Sequence, residues 1–431
     1  MVEPAAHANL TFVDVEGNGD PARPLDFPSP IVASAVRVNA LVVNPETGTR
    51  QVCSGVIHRE ELATGEGFVS YWPQRRLQDA IYGSVWACLV LRKHHGVAAD
   101  DAAKAAGVEP GSPKAPFVWE ITGEHVAIKM IEWARVHQMR GRYLEDPVKE
   151  VAAMQLLGAG HPHVLGSMDV MQDVDFLYSV MPYCSGGDLF GVVVQHAAEN
   201  GEEIGMPEPV ARYWFRQILW VSKGPLVSSM FTAVLVDAHI SFPLRRQGLH
   251  HLQSLGVCHR DLSLENVLVE RDNCLVIDMG MCLRVPYSDP ARPGAITDVR
   301  AGTSRRLMKP QGVCGKHNYM SPEVFANTDA FDGFAIDLWA AGVILYIMLT
   351  GFPPYDLASR TDQRFNLIVN GRLMEQLRNW RIPLSADAGD LLQSMLLLDP
   401  RDRLTLAGVM AHPWIANGPA HGPNPQEPLP Y

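Results

Sequence analysis

The chain has 431 residues, 47% of them hydrophobic, and a formal net charge of −11 at neutral pH. That length exceeds what one compact core usually holds, so a two-lobed domain with extensions is expected, and the apolar fraction argues for a globular protein. The acidic balance gives no reason to expect a nucleic-acid surface and disfavours an anionic membrane as partner.

In chain order, residues 1–72 mix β-branched runs with breaks at Pro21, Pro24, Pro28 and Pro30, and read as a poorly ordered extension carrying at most a hairpin. No secretory signal is expected, because residues 1–10 show no basic region ahead of an apolar core. Residues 77–90 predict two strands around Ile81-Tyr82-Gly83-Ser84-Val85-Trp86, with the glycine at the bend. An Ala-, Gly- and Pro-rich surface insertion follows over residues 94–115. Val126-Ala127-Ile128-Lys129 is a buried strand ending in one ammonium, and Pro147 opens an amphipathic helix that carries Glu150. His161-Pro162-His163 reads as a turn, since no third metal ligand has matching spacing. A strand over residues 177–181 then runs into Pro182-Tyr183-Cys184-Ser185-Gly186-Gly187-Asp188.

The helix that begins near Pro209 is interrupted. Its apolar pattern stops at Leu219 and resumes at Leu249, Leu252 and Leu255, with residues 221–247 bringing Gly224, Pro225 and Pro243 between them. Proline inside a helix costs on the order of 3 kcal/mol, so the segment must bulge out or break the helix. A retained in-frame intron and a genuine insertion both explain it, and uninterrupted reads across the segment in all mature transcripts would sink the intron.

The chemistry concentrates in His259-Arg260-Asp261-Leu262-Ser263-Leu264-Glu265-Asn266 and Ile277-Asp278-Met279-Gly280. Asp261 is a carboxylate able to accept a hydroxyl proton, while Asn266 and Asp278 offer the hard oxygen ligands that suit Mg²⁺. That combination is equipment for phosphoryl transfer, which needs positioning and charge neutralisation more than covalent chemistry. Downstream lie Met320-Ser321-Pro322-Glu323, an apolar helix over residues 334–350 with Asp337 inside it, Asp399-Pro400-Arg401-Asp402-Arg403, and a Pro-rich tail over residues 416–431. Asp337 within the apolar run argues for a buried helix, and Asp237, His239 and Pro243 argue against a span over residues 225–243. Seven scattered cysteines without a Cys-x-x-Cys pair read as reduced thiols of a cytosolic or nuclear protein.

These motifs, in this order, resemble the eukaryotic protein kinases of serine/threonine type, with calmodulin-kinase-like features near Gly351-Phe352-Pro353-Pro354-Tyr355 and His412-Pro413-Trp414. The resemblance implies an α+β, bilobal fold over residues 73–415, with a small β-rich lobe, a large helical lobe, and ATP and Mg²⁺ as cofactors. It casts Asp261 as base, Asn266 and Asp278 as metal ligands, and Lys129 paired with Glu150 as the holder of the α/β-phosphates. Ala80, Gly83 and Val85 would cover the phosphates. Ala127, Met181, Pro182 and Cys184 would receive adenine, Pro182 through its carbonyl alone, and Asp188 would receive the ribose. Glu323 would pair with Arg403, and Asp337 would anchor the catalytic loop.

The chain also departs from the family. Gln78 and Ala80 stand where its first two loop glycines do. Ser263 and Lys316 stand where it usually has Lys and Thr, so the ammonium and the hydroxyl have changed places; Lys316 would then serve the transferring phosphoryl and Ser263 would orient it. Arg260 is the residue that gathers an activation-loop phosphate in the family, with Arg300, Arg305 and Arg306 as helpers and Thr303 or Ser304 as the nearest hydroxyls. The expected partners are protein substrates, with at most a moderate preference for upstream Arg read by Asp188 and Glu265, and an upstream activating kinase. A pseudokinase scaffold that binds nucleotide or partners is the alternative. Tyrosine specificity is disfavoured, because residues 262–265 lack the arginine-bearing loop of that branch.

Overall fold

Small residues near the start of the chain conceal a strand. In β1 (Ala33–Val43) the inward positions are Ala33, Ala35, Ala40 and Val42, and a register shift between Val38 and Ala40 breaks the two-residue alternation. Alanine gives little hydrophobic signal and the shift changes its phase, so the sequence pattern reads as disorder. The structure, a computed structural model, describes residues 21–59, 69–93, 118–158, 163–199, 205–219, 248–292 and 294–422. Two units divide the chain, one made of Pro28–Ala159 and Gly166–Cys184, the other of Met1–Phe27, Gly160–Leu165 and Ser185–Tyr431.

In the first unit β1 pairs antiparallel with β2 (Arg50–Arg59), and β2 with β3 (Val69–Ala80). Residues 81–82 turn the chain into β4 (Gly83–Lys93), which pairs with β5 (Val118–Glu132). Two helices follow, α1 (Trp133–Met139) and α2 (Pro147–Leu157), and then β6 (Asp169–Gln172) and β7 (Phe176–Pro182). The strand order β1-β2-β3-β4-β5-β7-β6 closes into a barrel, β1 meeting β6 at Ala33↔Met171 and β5 at Leu41↔Val118, both in parallel. One apolar cluster inside it joins Ala33, Ile57, Tyr71, Val90, Ile128 and Tyr178; another joins Val42, Val56, Leu91 and Trp119. The expectation of a poorly ordered extension is thus corrected for the described part of residues 1–72, and the boundary drawn at residue 73 falls inside β3. Residues 1–20 and the insertion at 94–115 lie outside the described residues.

The second unit opens with α3 (Leu189–Glu199) and α4 (Glu208–Leu219), then α5 (Gly248–Ser254) and the short β8 (Val257–Cys258). The hairpin of β9 (Val267–Glu270) and β10 (Asn273–Val276) comes next, then β11 (Leu283–Arg284), paired with β8. A small meander of β12 (Tyr287–Ser288), β13 (Ile296–Thr297) and β14 (Ser304–Arg305) precedes α6 (Pro322–Ala326). The core helix α7 (Gly333–Thr350) is capped by Asp332, whose side chain accepts from the Phe334 amide, and it stops at Gly351 in a left-handed conformation. Long and apolar enough to cross a membrane, α7 is nevertheless buried along its whole length. It is followed by α8 (Gln363–Val369), α9 (Leu373–Asn379), α10 (Ala386–Met395), α11 (Leu406–Ala411) and α12 (Pro413–Ala416). Of the His-x-His turn, His163 is buried with Nδ1 2.8 Å from the Cys274 carbonyl, and His161 lies outside the described residues.

The interrupted helix keeps its two halves together. A Cβ on Gly248, which has φ +53°, would stand 2.0 Å from the Ile218 carbonyl oxygen, so only glycine lets α5 begin against the last turn of α4. Residues 221–247 lie outside the described residues. Joining Trp220 directly to Gly248 is therefore expected to leave a cooperatively folding protein with an unfolding midpoint within a few degrees of the full chain. Loss of cooperative thermal unfolding would show that the segment carries contacts the fold needs.

Candidate active site

The loop around Asp261 is held from beneath by a buried acid. Both carboxylate oxygens of Asp337 accept backbone amides, from His259 at 2.6 Å and from Arg260 at 2.9 Å. Burial pushes Asp337 up to about 6, opposed by His259 and by those two amide bonds. His259 extends the brace. Its Nδ1 accepts the Asp261 amide at 3.2 Å, which places the ring proton on Nε2, 2.8 Å from the Ile277 carbonyl.

Asp261 is approached from two sides. The Asn266 side-chain amide donates to the Asp261 carbonyl at 2.8 Å and to its carboxylate at 3.1 Å, which leaves the amide oxygen as the Asn266 atom able to ligate a cation. From the other side the Lys316 amide donates to Asp261 Oδ1 at 3.3 Å, while Lys316 Nζ donates to Ser263 Oγ at 2.7 Å. The exchange of ammonium and hydroxyl thus brings the two side chains together. Gly315 permits the approach: at φ +87°, its Cβ would stand 3.0 Å from the Arg260 carbonyl and 3.2 Å from Asp261 Oδ1. Desolvation holds the Asp261 carboxyl above the ordinary carboxylate range, and Lys316 and His259 pull it back.

Asp278 adopts φ +65°, and its Oδ1 accepts the Gly280 amide at 3.2 Å. Among the described residues no cluster of three or more His, Cys, Asp or Glu is arranged to hold a metal. Asn266 and Asp278 supply two hard oxygens, so a cation of the Mg²⁺ kind would take its remaining ligands from phosphate and water.

In the first unit, Lys129 Nζ donates to both Glu150 oxygens, at 2.8 and 2.6 Å, and both side chains are nearly buried. Asp146 and Pro147 start α2 in the right phase: the Asp146 carboxylate caps the Val148 and Lys149 amides, and Glu150 follows in the first turn, where the helix dipole favours an acid. Register aligns Val85 with Lys129 and Ala127 with Met181, and pairs Val126 with Pro182. The Ala80↔Gly83 pair closes the hairpin. Gly83 has a structural duty there, since a Cβ on it would stand 1.9 Å from the Met130 carbonyl oxygen. Cys184 ends this unit, and Asp188 stands in the other, where its Oδ1 accepts the Gly191 amide at 2.7 Å.

Several expectations about regulation change. Arg260 donates to the carbonyls of Met281, Gln311 and Gly312. Arg305 forms a buried pair with Asp332 at 2.6 Å, and Arg300 pairs with Asp289, so neither is gathered beside Arg260. Thr303 is turned inward, its hydroxyl bonded to Arg300. Sequence reasoning also missed Tyr319, whose hydroxyl stands beside Glu265, because nothing in its spacing marks it.

With this geometry in view, comparison with known proteins is direct. Residues 244–415 match the family described as protein kinase domain. The chain is related to the eukaryotic serine/threonine protein kinases. It is 28% identical to mouse sperm motility kinase 3A, over 71% of this chain and 48% of that protein. It is 30% identical to mouse serine/threonine-protein kinase DCLK3, over 68% and 30% respectively, and 29% identical to zebrafish maternal embryonic leucine zipper kinase, over 69% and 35%. The chain thus spans half the length or less of these curated relatives.

One structural pair gives a clean test of the helical unit. Arg403, nearly sealed from solvent, donates to both Glu323 oxygens at 2.5 and 2.8 Å and lies over the Trp339 ring. Removing one partner of a buried pair leaves an uncompensated charge, so Arg403→Ala is expected to cost about 3–5 kcal/mol in denaturant unfolding. A loss below about 1 kcal/mol would mean that the pair is solvated.

Proposed function

We propose that this chain is an ATP-dependent protein serine/threonine kinase of bilobal fold, transferring the γ-phosphoryl of ATP to hydroxyls of protein substrates in the cytoplasm or nucleus. The observation that carries the reading is the set around Asp261: a desolvated carboxylate, the Asn266 amide, and an ammonium fixed through Ser263. Asp261 orients the acceptor hydroxyl and takes its proton as the oxygen attacks phosphorus. Lys316, with Ser263 fixing its Nζ, presents positive charge where the transferring phosphoryl carries its negative charge. Lys129, aligned by Glu150, binds the α/β-phosphates, Ala80, Gly83 and Val85 cover them, and Ala127, Met181, Pro182 and Cys184 receive the nucleotide base. Mg²⁺ held by Asn266 and Asp278 would neutralise phosphate charge when bound.

One carboxylate supports at most a moderate preference for substrate Arg. Glu265 Oε2 is buried and has no hydrogen-bond partner among the described residues, a costly state that a guanidinium would relieve. We therefore place an upstream substrate Arg at Glu265, with Asp188 as a second acid. An upstream kinase would act at Ser304, since Thr303 is turned inward. The segment 221–247 is proposed as a tolerated insertion or a retained intron, a choice that transcript sequencing decides.

The test is Mg²⁺-ATP phosphorylation of an Arg-containing serine peptide library by the full chain and by a chain lacking residues 221–247, with Asp278→Asn as the inactive control. Phosphorylation by either chain supports the kinase; none by both, with folded protein, moves the reading to a scaffold. Lys316→Ala is expected to lower kcat about 10²-fold with KM little changed. The acid limb of kcat, governed by Asp261, lies above the ordinary carboxylate range, and Lys316→Ala should move it to higher pH because an opposing charge is lost. An unchanged kcat would refute the role of Lys316.

A further inference from the structure

Residues 21–27 lie against the segment that delivers Lys316, and every contact is within one unit. The Ala22 amide donates to the Leu307 carbonyl at 3.0 Å, and the Lys309 amide donates back to the Ala22 carbonyl at 2.9 Å, a parallel bridge around Met308. The Leu25 amide donates to the Arg284 carbonyl at 3.0 Å, and the Arg284 guanidinium returns to the Asp26 carbonyl at 2.6 Å. Met308, fully buried, is bonded on its other side to Phe331 through both backbone groups, at 2.8 and 2.9 Å. Residues 21–27 therefore act as an outer strand on a three-strand patch whose middle member leads directly to Lys316.

The sequence of this stretch suits the task. Pro21 and Pro24 hold the backbone extended and remove two amide donors, while the donors the patch uses belong to Ala22 and Leu25. Beyond the patch, Arg260 takes the Gln311 and Gly312 carbonyls at 3.5 and 3.0 Å, and Asn327 accepts the Gly312 amide at 3.0 Å. Gln311, Gly312 and Val313 carry no hydroxyl, and the path from Met308 to Lys316 is held through its own backbone groups, several of them bonded to the side chains of Arg260, Gln311 and Asn327.

We propose that residues 21–27 are a positioning strap for catalysis, which by strand addition fixes residues 307–312 and thereby sets Lys316 over Ser263 and Asp261. Its effect on rate rests on the role given above to Lys316; its effect on the segment does not. The experiment compares the full chain with Ala22→Pro and with Ala22→Pro/Leu25→Pro, which delete the donating amides and leave the side chains of residues 307–316 intact. Arg23→Ala, an exposed position, is the control.

Hydrogen exchange is read at residues 307–316, and kcat and KM on the same peptide. We expect exchange at Lys309 to rise at least tenfold and kcat to fall about tenfold with KM for ATP unchanged. Unchanged exchange in the single and double variants overturns the strap, and so does faster exchange with unchanged kcat in a chain where Lys316→Ala is slow. If Lys316→Ala is itself silent, the catalytic reading has failed, and exchange at Lys309 still decides whether the strap holds the segment. Should the double variant lose cooperative unfolding, Ala22→Pro carries the test, and a synthetic peptide of residues 20–28 added to a chain lacking residues 1–27 is expected to restore protection at Lys309; no restoration overturns the proposal.

Discussion

Two backbone amides on one buried carboxylate hold the Asp261 loop in a shape it would not keep alone. Arg260 sits at φ +66°, a left-handed conformation that costs a non-glycine residue about 1–2 kcal/mol. Asp337 offsets that strain with two charge-assisted bonds, to the amides of His259 and of Arg260 itself. Everything downstream inherits the geometry: the strained residue throws its guanidinium toward the Gln311 and Gly312 carbonyls and directs the next side chain, Asp261, toward Asn266 and Lys316. Asp337 belongs to α7, the most thoroughly buried helix described, so the loop is referred to the stiffest element of its unit.

The bond between Lys316 and Ser263 keeps a positive charge close to Asp261. An ammonium beside Asp261 lowers the cost of keeping a desolvated carboxylate ionised, and a hydroxyl is needed to hold that ammonium. The backbone must come close for this to happen, and Gly315 permits that approach.

Much of this was legible from residue order. The Lys129–Glu150 contact was readable because one residue follows an apolar strand run and the other falls in a helix first turn, and the Asn266–Asp261 contact was readable from their shared short loop. The Glu323–Arg403 pair and the burial of α7 were readable for similar reasons. The first barrel strand was not, because alanine at its inward positions and a register shift erase the alternation that marks a strand. The partners of Arg300 and Arg305 were also hidden. Asp289 meets Arg300 through the β12–β13 pairing and Asp332 meets Arg305 beside the Met308–Phe331 bridge, pairings too short to leave a sequence pattern.

The closed barrel imposes an order of events on the nascent chain. Its first strand is completed by partners made much later: the Arg37–Asp173 ion pair joins residues 136 positions apart. Until β6 and β7 emerge from the ribosome, β1 presents an unsatisfied edge, and the entropy of closing so long a loop must be met before the barrel interior can drain. Folding of this unit is therefore late and non-local. A cell making this protein would hold a strand with one side open for the time needed to synthesise more than a hundred residues, an interval in which chaperone capture competes with self-association.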